Sequence, residues 1–244
     1  VNTASDFQFY LDKLDSTNWN SIPRAKQVYL SSVRELPSSA KDSLFRSFTD
    51  FHNKVIWKGS DAYFDSVEYS KIPDELDEFG LRFIYIEGNY DIETNPKFLL
   101  ELAEYLDSPF GEVMRFNYRE TQETWFNDAV VCMSWDEMRK RIVRYEKMIT
   151  KYPDLIETGK LLKNNLNRLI PVYFEGMENS RIFEWSDSKL SESAKISFET
   201  YILENIDSGY HDEVVEAYDI LKKHDYKYSS EYSEFLRLRV FSQI

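Results

Sequence analysis

A chain of 244 residues, 42% hydrophobic and 30% charged, has enough apolar content to build a core without disulfides and too much for an intrinsically disordered protein. Its formal net charge of −13 repels phosphate backbones and anionic lipid, so neither nucleic acid nor an anionic membrane surface is an expected partner. No apolar run approaches the ~20 residues that span a bilayer, and the 7 glycines leave few positions for positive-φ turns, which favours helices joined by short connections.

The polar start Val1-Asn2-Thr3-Ala4-Ser5 reads as a short tether over about 1–5. Because the chain opens on Val rather than Met, the expectation leans towards an exported, periplasmic or cell-surface protein. Val28, Tyr29, Val33 and Leu36 then follow Pro23, and Leu44, Phe45, Phe48, Phe51, Val55 and Ile56 follow Ser38-Ser39. Their spacing predicts two packed helices, the second capped by Gly59.

The run Leu81-Arg82-Phe83-Ile84-Tyr85-Ile86 fits either a buried strand or the second half of a helix begun at Pro73. Leu76, Phe79, Phe83 and Ile84 keep helical spacing with Gly88 as terminator, so helix is the preferred reading. Between Pro96 and Leu106 an apolar stripe follows a cap at Asn95 or Thr94 and a proline in the first turn, and Asp107-Ser108-Pro109 ends it.

The clearest helix is expected over 135–151. Trp135, Met138, Ile142 and Tyr145 form one stripe, Ser134 with Glu137 makes a capping box, and Pro153 marks the stop. A further helix opens at Asp154 with Glu157 three residues on, and carries Leu155, Leu162, Leu166 and Leu169 towards Pro171. Val172-Tyr173-Phe174 and Arg181-Ile182-Phe183 flank a turn-like Glu175–Ser180 segment, which fits a small hairpin or an ordered loop. Three consecutive helices are expected near the end, on Ile196, Tyr201 and Leu203, on Val214, Ala217, Tyr218 and Leu221, and on Tyr232, Phe235, Leu236 and Val240. The predicted fold is therefore mostly α: a single helical domain over 1–244, a multi-helix array or irregular bundle of antiparallel helices with at most one small β-hairpin.

Charge is unevenly spread. Between 61 and 107, thirteen acidic residues stand against three basic ones, whereas between 138 and 168 nine basic residues stand against three acidic. Such blocks either steer a charged partner, pair within the fold, or form solvated helix faces. Within the acidic block, Asp74, Glu75, Asp77 and Glu78 are the candidate partner-binding residues. Glu87, Asn89, Asp91 and Glu93 alternate in the oxygen-rich manner by which a loop wraps calcium. The glycine at 88 is misplaced for an EF-hand, and the same pattern serves a turn, so no metal is expected there.

Cys132, the sole cysteine, lies in Val130-Val131-Cys132-Met133 and reads as an inert core thiol. His211, beside Asp212 and Glu213, reads as a capping or surface residue. His52 reads as a half-buried packing residue, and His224, after Lys222-Lys223, suits a helix C-terminus. There is no glycine-rich phosphate loop, dinucleotide fingerprint, serine elbow or paired-cysteine metal motif, so no cofactor is expected. The sequence thus points to a non-enzymatic, acidic helical binding protein with a basic or polar protein partner. The alternative is a hydrolase using Asp or Glu carboxylates on a sugar-like substrate stacked by Tyr or Trp.

Overall fold

The computed structural model describes residues 3–64, 76–86 and 89–243. The fold is mostly helical with a few two-stranded antiparallel pairs. By its internal contacts the chain divides into two compact units, Val1–Glu123 and Thr124–Ile244.

In the first unit, α1 (Ala4–Leu11) begins inside the segment read as a tether, because Thr3 and Asp6 form a capping box. Helix α2 (Ser21–Val33) and the long α3 (Ser38–Phe64) follow. Gly59 does not cap α3, which continues through it to Phe64. Tyr29 of α2 sits edge-on or tilted against Phe7, Phe45 and Phe48, and its buried hydroxyl donates to the Leu102 carbonyl at 3.1 Å. That contact gives a large ring both its apolar neighbours and its polar partner.

The helix preferred from Pro73 to a terminator at Gly88 is not formed over the described residues 77–86. A short 3-10 turn, Asp77–Phe79, ends at Gly80 in the left-handed conformation (φ 69°) and leads into strand β1 (Leu81–Ile86), paired antiparallel with β2 (Asn89–Thr94). An added Cβ at Gly80 would lie 2.3 Å from the Phe98 ring, so only glycine makes this entry. Helix α4 (Pro96–Ala103) starts as expected, with the Asn95 side chain accepting the Lys97 N–H at 3.0 Å. Ser108-Pro109 ends one helix and opens another: the Ser108 hydroxyl accepts the Gly111 N–H, and α5 runs Pro109–Gln122.

The second unit opens on a minimal hairpin, β3 (Phe126–Asn127) with β4 (Val130–Val131), whose turn residues Asp128 and Ala129 both have positive φ. Helix α6 (Trp135–Lys151) matches its predicted bounds. Ser134 accepts the Glu137 N–H at 3.1 Å, while the Glu137 carboxylate turns instead to Arg144 at 2.8 Å. A π-helical stretch, Thr158–Lys163, continues directly into α7 (Asn164–Glu175). Pro171 therefore does not stop the helix, and Val172-Tyr173-Phe174 belong to α7 rather than to a strand. The hairpin beyond is only β5 (Gly176–Met177) with β6 (Ser180–Arg181).

Helices α8 (Glu192–Glu204), α9 (His211–Lys223) and α10 (Ser230–Phe235) complete the unit, α10 running on through a second π stretch, Leu236–Val240. Helix α8 exists as predicted but presents another face. Ala194, Ser197, Phe198 and Tyr201 are buried, whereas Ile196 and Leu203, expected in the core stripe, are 52% and 76% exposed. The core is an aromatic cluster in which Tyr173 contacts Phe174, Phe198 and Tyr201, and Tyr232 donates to the Phe174 carbonyl at 2.7 Å. Among the described residues no helix is long and apolar enough to cross a membrane.

Candidate functional site

Of the residues singled out in the acidic block, the structure describes only some. Asp74, Glu75 and Glu87 lie outside the described residues. Asp77 and Glu78 are exposed on the 3-10 turn, where the Asp77 carboxylate accepts from the Asn95 amide at 3.1 Å. Asn89, Asp91 and Glu93 occupy β2, opposite Ile86, Ile84 and Arg82. Glu93 accepts from the Arg82 guanidinium at 2.6 Å, and the backbone of Asn89, Asp91 and Glu93 belongs to a paired strand. Among the described residues at the end of the block, Glu101, Asp107 and Glu104 pair within their own unit with Lys26, Lys41 and Arg119. The basic block behaves alike: Arg139 and Lys140 share Asp136, Arg139 reaches Glu204, and Arg144 meets Glu137. Among the described residues no three metal-ligating side chains come together.

The histidines are placed structurally. His52, read as half-buried, is fully enclosed between the Phe48 and Phe98 rings, with one ring nitrogen 2.9 Å from the Phe79 carbonyl. His211 opens α9 with a ring nitrogen 3.2 Å from the Ile202 carbonyl, and His224 at the end of α9 lies 2.7 Å from Glu231. Cys132 is exposed rather than buried in a core, because its apolar neighbours form a two-residue hairpin edge instead of an internal strand.

Two clefts in the second unit hold the chemistry. The larger, about 910 Å³, lies among α6, the start of α7 and the loop after α8. Glu146 stands in its wall. Its carboxylate accepts the Ser208 hydroxyl at 2.7 Å and the Gly209 N–H at 2.8 Å, and Ser208 lies 2.5 Å from the Tyr201 hydroxyl. Burial pushes the Glu146 carboxyl above its ordinary range, while the hydrogen bonds from Ser208, Gly209 and Tyr201 pull it back. Both oxygens are thereby committed to holding the 205–210 loop, and Glu204 in the same cleft is paired with Arg139.

The smaller cleft, about 620 Å³, has the opposite character: its acids are unspent. Glu175 ends α7. Gly176 then takes φ 89°, turning the chain into β5, with Glu178 at the tip and Arg181 on β6. Beyond it, Glu184 donates its N–H to the Lys189 carbonyl and Ser188 donates back to the Glu184 carbonyl, which tightens a loop that carries Trp185 at 69% exposure. The Tyr228 N–H bonds the Ser188 carbonyl at 2.9 Å and brings that ring to the groove, edge-on to Phe183 with centroids 5.2 Å apart. Among the described residues Glu175, Glu178 and Glu184 form no ion pair or side-chain hydrogen bond. Arg181, the one basic residue lining the groove, stacks on Trp185 at 4.6 Å instead of pairing with them.

Sequence reading missed this groove because Tyr228 joins it from more than forty residues away. One local signal was available: a tryptophan between two polar turn residues, with Glu175, Glu178 and Glu184 close by in sequence. A core aromatic does not usually sit in such company. No protein-family model matches the chain, and no similar chain is found among curated proteins or solved structures.

Proposed function

We propose that this is a non-enzymatic, acidic helical binding protein that engages a basic protein partner, and that the groove between the end of α7, the β5–β6 hairpin and Tyr228 receives it. The observation that carries the reading is the set of three carboxylates that form no ion pair or side-chain hydrogen bond among the described residues, beside exposed Trp185 and Tyr228. Carboxylates left unpaired around an aromatic platform attract cations through charge and through the ring quadrupole together. Asp77 and Glu78 in the first unit add exposed negative charge that steers the same type of partner.

The test is calorimetric titration of the full chain with a short peptide rich in lysine and arginine. Replacing Glu175, Glu178 and Glu184 together by glutamine is expected to weaken binding at least tenfold. Removing three acids from α9, by Asp212→Asn, Glu216→Gln and Asp219→Asn, controls for net charge and is expected to change affinity far less. Equal losses in both triple variants would reduce the groove to a share of the overall charge and refute its role. Charge reversal at Asp77 and Glu78 measures the contribution of the first unit's acidic block, and the expected result is a slower association rate.

A further inference from the structure

Building on that reading, we infer that the groove is selective for arginine: a guanidinium of the partner takes the face of Trp185 that Arg181 covers in the free protein, with Glu175, Glu178 and Glu184 as its acceptors.

The groove already displays the recognition geometry in part. The Arg181 guanidinium lies over the Trp185 ring at 4.6 Å, so the ring face is open to a planar cation and wide enough to hold one. Arg181 uses only half of what surrounds it. It is fixed on β6, directly opposite Gly176 in the hairpin register, and from there it reaches the ring but pairs with none of the three carboxylates. A side chain entering from a partner is free of that register. Stacked on the same ring, it keeps its N–H groups in its own plane, parallel to the indole and free to point outward to carboxylate oxygens, the bidentate arrangement for which a guanidinium is preorganised.

A lysine ammonium gains less. It is a compact, strongly hydrated point charge that a single carboxylate satisfies, and it lacks a flat face to lay on indole. Arg181 is itself exposed and among the described residues forms no ion pair or side-chain hydrogen bond besides its stack on the ring, and exposed stacks of this type are weak. Its displacement therefore costs little affinity, while its presence keeps the tryptophan face covered until a better-placed cation arrives. Arg181 acts in this sense as a built-in placeholder that sets the threshold for binding.

The experiment compares two peptides with the same glycine–serine spacing, one carrying three arginines and the other three lysines, titrated into the full-length chain. The wild-type protein is expected to bind the arginine peptide at least fivefold more tightly. Trp185→Ala should bring the two affinities together, and Trp185→Phe should restore part of the preference. Arg181→Ala removes a positive charge and so strengthens both peptides, but the ratio in favour of arginine should rise two- to fivefold because only the guanidinium exploits the uncovered ring. These side chains are exposed, and circular dichroism checks that the helices persist. Equal wild-type affinities for the two peptides, or an arginine preference that survives Trp185→Ala, would overturn the inference while leaving the basic-partner reading intact. A ratio unchanged or lowered in Arg181→Ala would overturn the placeholder role. Failure to bind either peptide would overturn both readings.

Discussion

The Glu146 carboxylate and the Gly209 N–H, 63 positions apart in sequence, meet at 2.8 Å and pin the loop between α8 and α9 to α6. Ser208 donates to the same carboxylate and lies beside the Tyr201 hydroxyl, so one acid organises a four-group cluster. Glu146→Ala should cost about 1–2 kcal/mol, the usual loss when hydrogen bonds to a charged group are deleted at a site water can re-enter. Burial raises this carboxyl, so between its ordinary value and its folded value the native chain holds more protons than the unfolded one. Its contribution to stability therefore decreases as pH rises through that window. Glu146→Gln should remove this dependence and cost less than the alanine variant at pH 7. Urea denaturation of both variants at several pH values checks the ordering.

His52 has the opposite sign. Its enclosure depresses its pKa from 6.5 to about 4, against a smaller raising effect of the bond to Phe79. The neutral ring is the folded form, with the nitrogen facing Phe79 donating to its carbonyl. Below pH 6.5 the unfolded chain takes up the proton that the folded chain refuses, so stability falls as pH drops from 6.5 towards 4 and levels off beneath that. The span corresponds to roughly 3 kcal/mol. In His52→Leu the acid limb of the stability profile should be flatter by about that amount, whatever the variant's absolute stability. A variant profile parallel to that of the wild type would show that the ring is not the titrating group.

Gly176 makes the groove possible. At φ 89°, a Cβ there would lie 2.5 Å from the Ser180 carbonyl oxygen and 2.6 Å from the Arg181 Cα, both backbone atoms that cannot swing aside. Gly176→Ala should destabilise the second unit by roughly 1–3 kcal/mol, the range typical of a residue forced into such backbone geometry. It should also weaken the basic peptide, because Glu178 and Arg181 ride on the hairpin that the glycine opens. Denaturation gives the first effect, and titration at a temperature where the variant remains folded gives the second.

Cys132 should react with Ellman's reagent in the native protein. Its exposure on the hairpin edge predicts labelling of one thiol per chain without denaturant. Labelling that requires urea would restore the buried thiol that its apolar neighbours suggest.

What was legible in the sequence follows from where local chemistry decides structure. Ser134 before Trp135, and Asn95 before Pro96, satisfy free N–H groups within one turn, so α6 and α4 start where the residue pattern places them. The capping role of Ser108 was equally available and was read only as a stop; it is the start of α5. The β1–β2 pair was misread because Leu76, Phe79, Phe83 and Ile84 satisfy helical spacing while a six-residue apolar run satisfies a strand equally well. Gly80, wedged against Phe98, decides the matter through a tertiary contact that no window of sequence contains. On α8 the two apolar faces compete, and Ile196 with Leu203 lost to Phe198 with Tyr201 because only the latter meet Tyr173. The candidate groove was least visible of all. Its acids are clustered in sequence, but it becomes a site only when the Ser188 carbonyl draws in Tyr228.

The π-helical stretch at Thr158–Lys163 sets the rotational phase of everything that follows it in α7. A π turn behaves as an α-helix with an inserted residue, and each residue turns an α-helix by about 100°. Removing Gly159, which is exposed and has no neighbour within 4 Å of where its side chain would be, looks harmless by contact alone. The winding agrees: its loss would convert π to α winding without the extra residue, so the flanking segments keep their phase and Tyr173 and Phe174 stay turned towards α8 and α10. In this part of the chain helical phase is the constraint: the π turn can shed one residue by reverting to α winding, whereas a residue deleted from the α-helical part of α7 ahead of Tyr173 would turn the aromatic face by about 100°.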